Sequence, residues 1–144
     1  MKGAIQSVSI SCFVHATEDE SLVKAALASL VPDGTVAKRE PLEGHYGNTI
    51  VHLEYHVTGA QAEKALGGML AKMRRASKEE LLREMPVHVD EHSSLYLRLD
   101  KQRLVHGEVA TGGADPVRVK VKPRMFMLKN GAPMFYSELI RGWG

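Results

Sequence analysis

The chain has 144 residues, 44% of them hydrophobic and 25% charged, and 19 basic against 17 acidic side chains leave a net charge of +2. That length suits a single domain with its own core, no apolar run approaches the roughly 20 residues that span a bilayer, and one cysteine, Cys12, leaves no partner for an internal disulfide. So mild a basic excess does not by itself imply nucleic acid, and the placement of the cations matters more than their sum. The strand-like alternation at the N-terminus argues against a signal peptide. With the lone cysteine, it gives the expectation of a cytoplasmic protein without membrane contact.

Ile5 to His15 reads as a first strand, with Val8, Ile10, Cys12 and Val14 on one face and Ser7, Ser9, Ser11, Phe13 and His15 on the other. Cys12 keeps step with the apolar set, so an inert core thiol is expected. Thr17-Glu18-Asp19-Glu20 fits a capping box with Thr17 as N-cap. A helix with Leu22, Val23, Ala26, Leu27 and Leu30 on one side follows, ended by Pro32-Asp33-Gly34. Thr35 to Glu40 is a weaker strand, and Glu43-Gly44-His45-Tyr46-Gly47-Asn48 is a loop whose glycines permit a close approach.

Ile50 to Val57 is the next strand, and Thr58-Gly59-Ala60-Gln61 is a second capping box before a helix ending near Ala76. Ser77-Lys78-Glu79-Glu80 caps a short third helix, and Pro86 to His92 leads into Leu95 to Gln102. There Leu95, Leu97 and Leu99 alternate with Tyr96, Arg98 and Asp100, and the stretch is expected to be the central strand. Leu104 to Ala110 is a further strand candidate, and Thr111 to Asp115 has the composition of a hairpin loop. Val117 to Lys122 is the cleanest alternation, three valines against Arg118, Lys120 and Lys122, stopped by Pro123; a final helix is expected around Ser137 to Trp143. With no internal repeat or linker, residues 1–144 form one α+β domain, a mostly antiparallel sheet with helices packed on one face.

Three kinds of chemistry fit these residues. His52, Glu54 and His56 share a strand face and could hold zinc with a further ligand such as His15, yet open sheet faces carry His and Glu for solubility alone. Glu43, His45 and Asp100 could serve acid–base catalysis if they converge in a cleft, and no nucleophile elbow, phosphate loop or dinucleotide fingerprint accompanies them. The third is an RNA-binding face, with Phe13 and Tyr96 as stacking surfaces and Arg98, Arg118, Lys120 and Lys122 on phosphates. Alternate side chains of a strand recur about every 6.6 Å, a comb suited to a phosphate backbone. Against it stands an edge strand whose lysines prevent aggregation, which explains Val117 to Lys122 equally well.

Three stretches, Val14 to Asp19, Glu43 to Asn48 and Leu95 to Gln102, together resemble an archaeal family of predicted RNA-binding or exosome-associated proteins. The likeness runs from about Ile5 to Lys122 and leaves 123–144 as a divergent tail. It implies a fold similar to the large-subunit ribosomal protein that cradles the small ribosomal RNA and no established catalytic activity; no cofactor and no metal are expected. Carried over by position, the motif residues are His45, Tyr46, Asn48, Arg98, Asp100, Lys101 and Gln102; Thr49 stands where the family often has proline. The expectation is a non-enzymatic protein binding structured or ribosomal RNA through His45, Tyr46, Asn48, Tyr96, Arg98, Lys101, Gln102, Arg118, Lys120 and Lys122. Its setting is an exosome, RNA-processing or ribosome assembly, with exosome or ribosome proteins as further partners. The alternative is a subunit that docks on such an assembly without recognising RNA, with the tail as its attachment.

Overall fold

In the computed structural model, which describes residues 3–44, 47–125 and 131–142, the strand Ile5–Val14 (β1) stands third of five in one antiparallel sheet. On one side it pairs with Thr49–Thr58 (β3), whose outer neighbour is Lys38–Glu43 (β2); on the other it pairs with Val117–Pro123 (β5), followed by Leu95–Leu99 (β4). The order β2-β3-β1-β5-β4 corrects two expectations. The central strand is β1, and the Leu95 stretch is a five-residue edge strand that stops at Leu99. Val117–Pro123, in contrast, is internal, flanked on both sides from Arg118 to Val121 and by β1 alone at Lys122 and Pro123.

Period-two burial decides which face is which. Val8, Ile10, Cys12 and Val14 of β1, Leu53, Tyr55 and Val57 of β3, Leu97 of β4 and Val119 of β5 are all buried. The helices Glu20–Ala28 (α1) and Gly59–Lys72 (α2) cover this side through Val23, Ala26 and Leu27 and through Ala62, Leu66, Met69 and Leu70. Each fully buried Leu or Ile contributes about 1.5–3 kcal/mol, so the paired layers account for most of the hold. Burial pushes the Cys12 thiol up to about 11, and the group is inert, as its place in the alternation suggests.

Three helix starts differ from the capping boxes. Thr17 lies in a turn closed by the Glu18 N–H on the His15 carbonyl, so Asp19 caps α1 instead, its Oδ1 accepting from the N–H groups of Ser21 (3.0 Å) and Leu22 (3.3 Å). Thr58 stands at the N-cap of α2 but makes no side-chain cap bond. Ser77 lies inside Arg75–Arg83 (α3), buried, its Oγ accepting the Thr111 N–H at 3.0 Å; a tertiary partner takes the hydroxyl that a cap would use. The short helix Met85–His88 (α4) precedes β4.

Leu104 to Ala110 is not a strand. Asp100 caps a helix, Lys101–Val105 (α5), by accepting the Arg103 N–H at 3.0 Å, and beyond it Val109 makes one parallel bridge to Met73. The last helix, Gly131–Gly142 (α6), begins earlier than expected and packs on α3 and α4. Its Tyr136 is fully buried and donates to the Ser93 carbonyl at 2.6 Å, fixing the turn before β4 in which Ser93 sits at a φ of 67°. Among the described residues no helix is long and apolar enough to cross a membrane.

Candidate nucleic-acid interface

The helix-free face of the sheet carries the alternate residues in cross-strand rows. Glu54, Ser11, Arg118 and Arg98 form one row, and His56, Ser9, Lys120 and Tyr96 the next; Thr58, Ser7 and Lys122 continue below, and His52 and Phe13 stand above. Strands about 4.8 Å apart with alternate residues about 6.7 Å apart set the mesh. All four expected cations of β4 and β5 therefore lie in one patch. Among the described residues no carboxylate comes within ion-pair distance of Arg98, Arg118, Lys120 or Lys122.

Both rings are set into this face. Tyr96 is 40% exposed and donates from its hydroxyl to Asp90 Oδ2 at 3.0 Å, while Lys120 Nζ stands 5.4 Å from the ring centroid. Partial burial pushes the Asp90 carboxyl up, but hydrogen bonds from the Ser94 N–H, the Tyr96 hydroxyl and the His92 N–H hold it below its ordinary value. Phe13 meets the His52 ring at 4.9 Å between centroids, and His56 Nδ1 lies 2.8 Å from Ser9 Oγ. The face is cationic over β4 and β5 and mixed over β3 and β2, where Glu54 stands opposite Lys38.

The other expected contacts fall elsewhere. Lys101 is only 4% exposed and points away from the open face, donating from Nζ to the Phe13 carbonyl (2.9 Å), Glu18 Oε1 (2.9 Å) and Asp115 Oδ2 (2.5 Å). Gln102 Nε2 reaches the other Glu18 oxygen at 3.4 Å. Asp100, expected to orient Arg98 or Lys101, instead caps α5. Asn48 is exposed in the β2–β3 hairpin, its carbonyl accepting the Gly44 N–H; His45 and Tyr46 lie outside the described residues. In that hairpin Gly47 has a φ of +78°, and a Cβ on Gly44 would stand 2.8 Å from the Asn48 carbonyl, so both glycines are required by the turn.

Described parts of all three motif stretches nevertheless lie toward one end of the sheet, where β1 and β4 end, β5 begins and β2 turns into β3. There His15 Nε2 is 2.8 Å from Asp115 Oδ2, and His15, Glu18 and Asp115 gather their donor atoms within 4.8 Å. The Lys101 ammonium already occupies that gathering as its cation. Burial pushes the Lys101 ammonium down, but Asp115 and Glu18 raise it above its ordinary value; Glu18 and Asp115, pushed up by partial burial, are held below theirs by hydrogen bonds that include Lys101. The alternation of the motif gave no hint of this, because Lys101 follows the end of the strand. Among the described residues His52, Glu54 and His56 do not form a comparable group. Glu43 and Asp100 belong to opposite edges of the sheet, four strand steps or roughly 19 Å apart, and make no catalytic pair.

A family model described as RNA binding matches residues 7–123. The curated "RNA-binding protein PAB1135" of Pyrococcus abyssi is 29% identical, over 99% of this chain and 97% of its own. The "Uncharacterized protein MJ0213" of Methanocaldococcus jannaschii is 28% identical, over 88% of this chain and 89% of its own. A crystal structure from Archaeglobus fulgidus, labelled with the family DUF54, superposes with a TM-score of 0.79 at 30% identity, covering 94% of this chain and 99% of that one.

Proposed function

This chain belongs to the RNA-binding family whose model it matches, and from that premise we propose that the open sheet face binds RNA, with Arg98, Arg118, Lys120 and Lys122 on phosphates and Tyr96 and Phe13 stacking on unpaired bases. One observation carries the reading. Arg118 and Lys120 stand where β5 is paired on both sides and no edge needs protecting, with Lys122 just past the end of β4, and all three remain without carboxylate partners among the described residues. The cross-strand pairing of Arg98 with Arg118 points the same way. Like charges directly opposite cost stability, and an anionic ligand between them turns the cost into attraction.

The protein acts as a binder and not as an enzyme, within an exosome, RNA-processing or ribosome assembly; that setting rests on the resemblance of its motif stretches. Asn48 and Gln102, at the motif end of the sheet, sit away from the cationic patch and are better suited to contacts at the rim. Replacing Arg118, Lys120 and Lys122 together by glutamine should flatten the log–log salt dependence of RNA affinity by about two units, at about 0.7 per phosphate contact on a single strand. Thermal stability should shift by no more than about 0.5 kcal/mol, since all three are surface groups. An unchanged slope would remove β5 from the interface and favour docking on the assembly through protein contacts.

A further inference from the structure

Beside the cationic face, the outer edge of β4 opens into a second cavity, of about 510 Å³, between the strand, α4 and the loop after Val109. Leu81, Val87, His88, Tyr96, Arg98 and Thr111 line it. Tyr96 also lines the shallow groove across the face, and Arg98 stands in the cationic patch, so the cavity is the lateral continuation of the interface.

The edge of β4 is closed at both ends and open in the middle. The Ser94 carbonyl accepts the Asp90 N–H, the Arg98 carbonyl accepts the Gly112 N–H, and the Asp100 N–H donates to the Ala110 carbonyl, at 2.8–3.0 Å. These even-numbered residues turn their peptide groups outward, and by the alternation of the strand Tyr96 does the same. The antiparallel bridge between Val89 and Leu95 covers the edge as far as the Tyr96 N–H, and between the two closures the Tyr96 carbonyl and the Arg98 N–H have no hydrogen-bond partner among the described residues. His88 adds a buried Nε2 that has no hydrogen-bond partner among the described residues, with Glu84 Oε2 standing 3.8 Å away. Val87 stands at the rim, 82% exposed.

We infer that this cavity takes one unpaired nucleobase from the RNA crossing the sheet, an inference that rests on the interface reading above. One acceptor and one donor side by side complement the adjacent donor and acceptor found on the Watson–Crick edge of each base. Tyr96 supplies a surface on which a splayed base stacks, Arg98 holds the phosphate beside it, and Leu81 and Val87 close the apolar side. An extended peptide is the lesser fit. Strand addition builds on a run of main-chain bonds, and here the free edge is one carbonyl and one N–H long.

The test is an abasic scan along a short single-stranded RNA, read by fluorescence anisotropy for the unaltered protein, for Thr111→Phe, which fills the cavity, and for Val87→Trp, which crowds its rim. The unaltered protein should lose affinity about tenfold or more at one abasic position. Both variants should lose that penalty while keeping the salt slope. Val87→Trp, at an exposed site, keeps the test open if Thr111→Phe does not fold. Salt-dependent binding with no abasic penalty, or a penalty that survives in both variants, overturns the base pocket and leaves the interface standing. Absence of salt-dependent RNA binding overturns the interface itself. Binding of an extended peptide that Val87→Trp abolishes, with no abasic penalty, assigns the cavity to protein and overturns the inference.

Discussion

Arg98 and Lys101 stand three residues apart, and the molecule treats their charges in opposite ways. Arg98 lies on an open face opposite another arginine, with no carboxylate partner among the described residues. Lys101 is buried among two carboxylates and a main-chain carbonyl that satisfy its three protons. A charge left unbalanced on a surface is available to a ligand, whereas a charge balanced internally holds the chain together. Both regions belong to the stretch on which the family likeness rests, so a recurring motif here mixes residues of the two kinds.

The contrast breaks most visibly at Lys101. Lys101→Met should leave Glu18 and Asp115 without the Lys101 ammonium and cost roughly 3–4 kcal/mol, the lower part of the range for broken buried pairs being apt because Asp115 is 43% exposed. RNA affinity of the folded variant should be unchanged, which denaturant unfolding and a binding titration at low temperature would check together. Loss of affinity with stability intact would move Lys101 into the interface.

Acid should erode the same cluster. Glu18 and Asp115 have folded-state values below their unfolded ones, so their contribution is full above about pH 5 and is lost as the pH falls through the folded values. Lys101 has the raised value, so its contribution is full below its unfolded value and fades only as alkali passes the folded one. The stability gap between the unaltered protein and Lys101→Met should therefore narrow between pH 5 and pH 3, measured by urea unfolding. A constant gap would mean that packing, not charge, is what Lys101 supplies.

The smallest effect has the most distinctive sign. Arg98→Gln removes a like-charge pair and should raise stability by a few tenths of a kcal/mol while weakening RNA binding and flattening the salt slope by about 0.7. Destabilisation instead would show that the guanidinium is held by the fold.

Alternation alone located β1, β3 and β5 to within a residue or two and assigned their faces, because side-chain period two follows from the backbone. It could not say where a strand sits in the sheet. Leu95–Leu99 looks central because three leucines are buried on one side, and an edge strand packed against helices has the same pattern. The neighbourhood of Tyr96 and Lys120, or of Arg98 and Arg118, depends on strand order and register, which join residues some 20 positions apart. Lys101 falls off the sheet face because Asp100 ends the strand by capping a helix, and past that point the parity rule no longer applies. His88 and the open edge of β4 left no mark in the sequence: an unpaired peptide group is a property of what fails to arrive beside it.

The position of β1 has a consequence for how the molecule is made. Its two neighbours are β3, which follows within a few dozen residues, and β5, which follows on the order of a hundred residues later. At about 5–20 residues per second, a growing chain carries β1 with one side unpaired for several seconds or more before β5 is synthesised. During that interval the edge of β1 is open to pairing with another chain, and a sheet closed by so distant a pairing is expected to fold slowly. The serines at positions 7, 9 and 11, which make the outer face of β1 polar, keep that waiting strand from presenting two greasy faces at once.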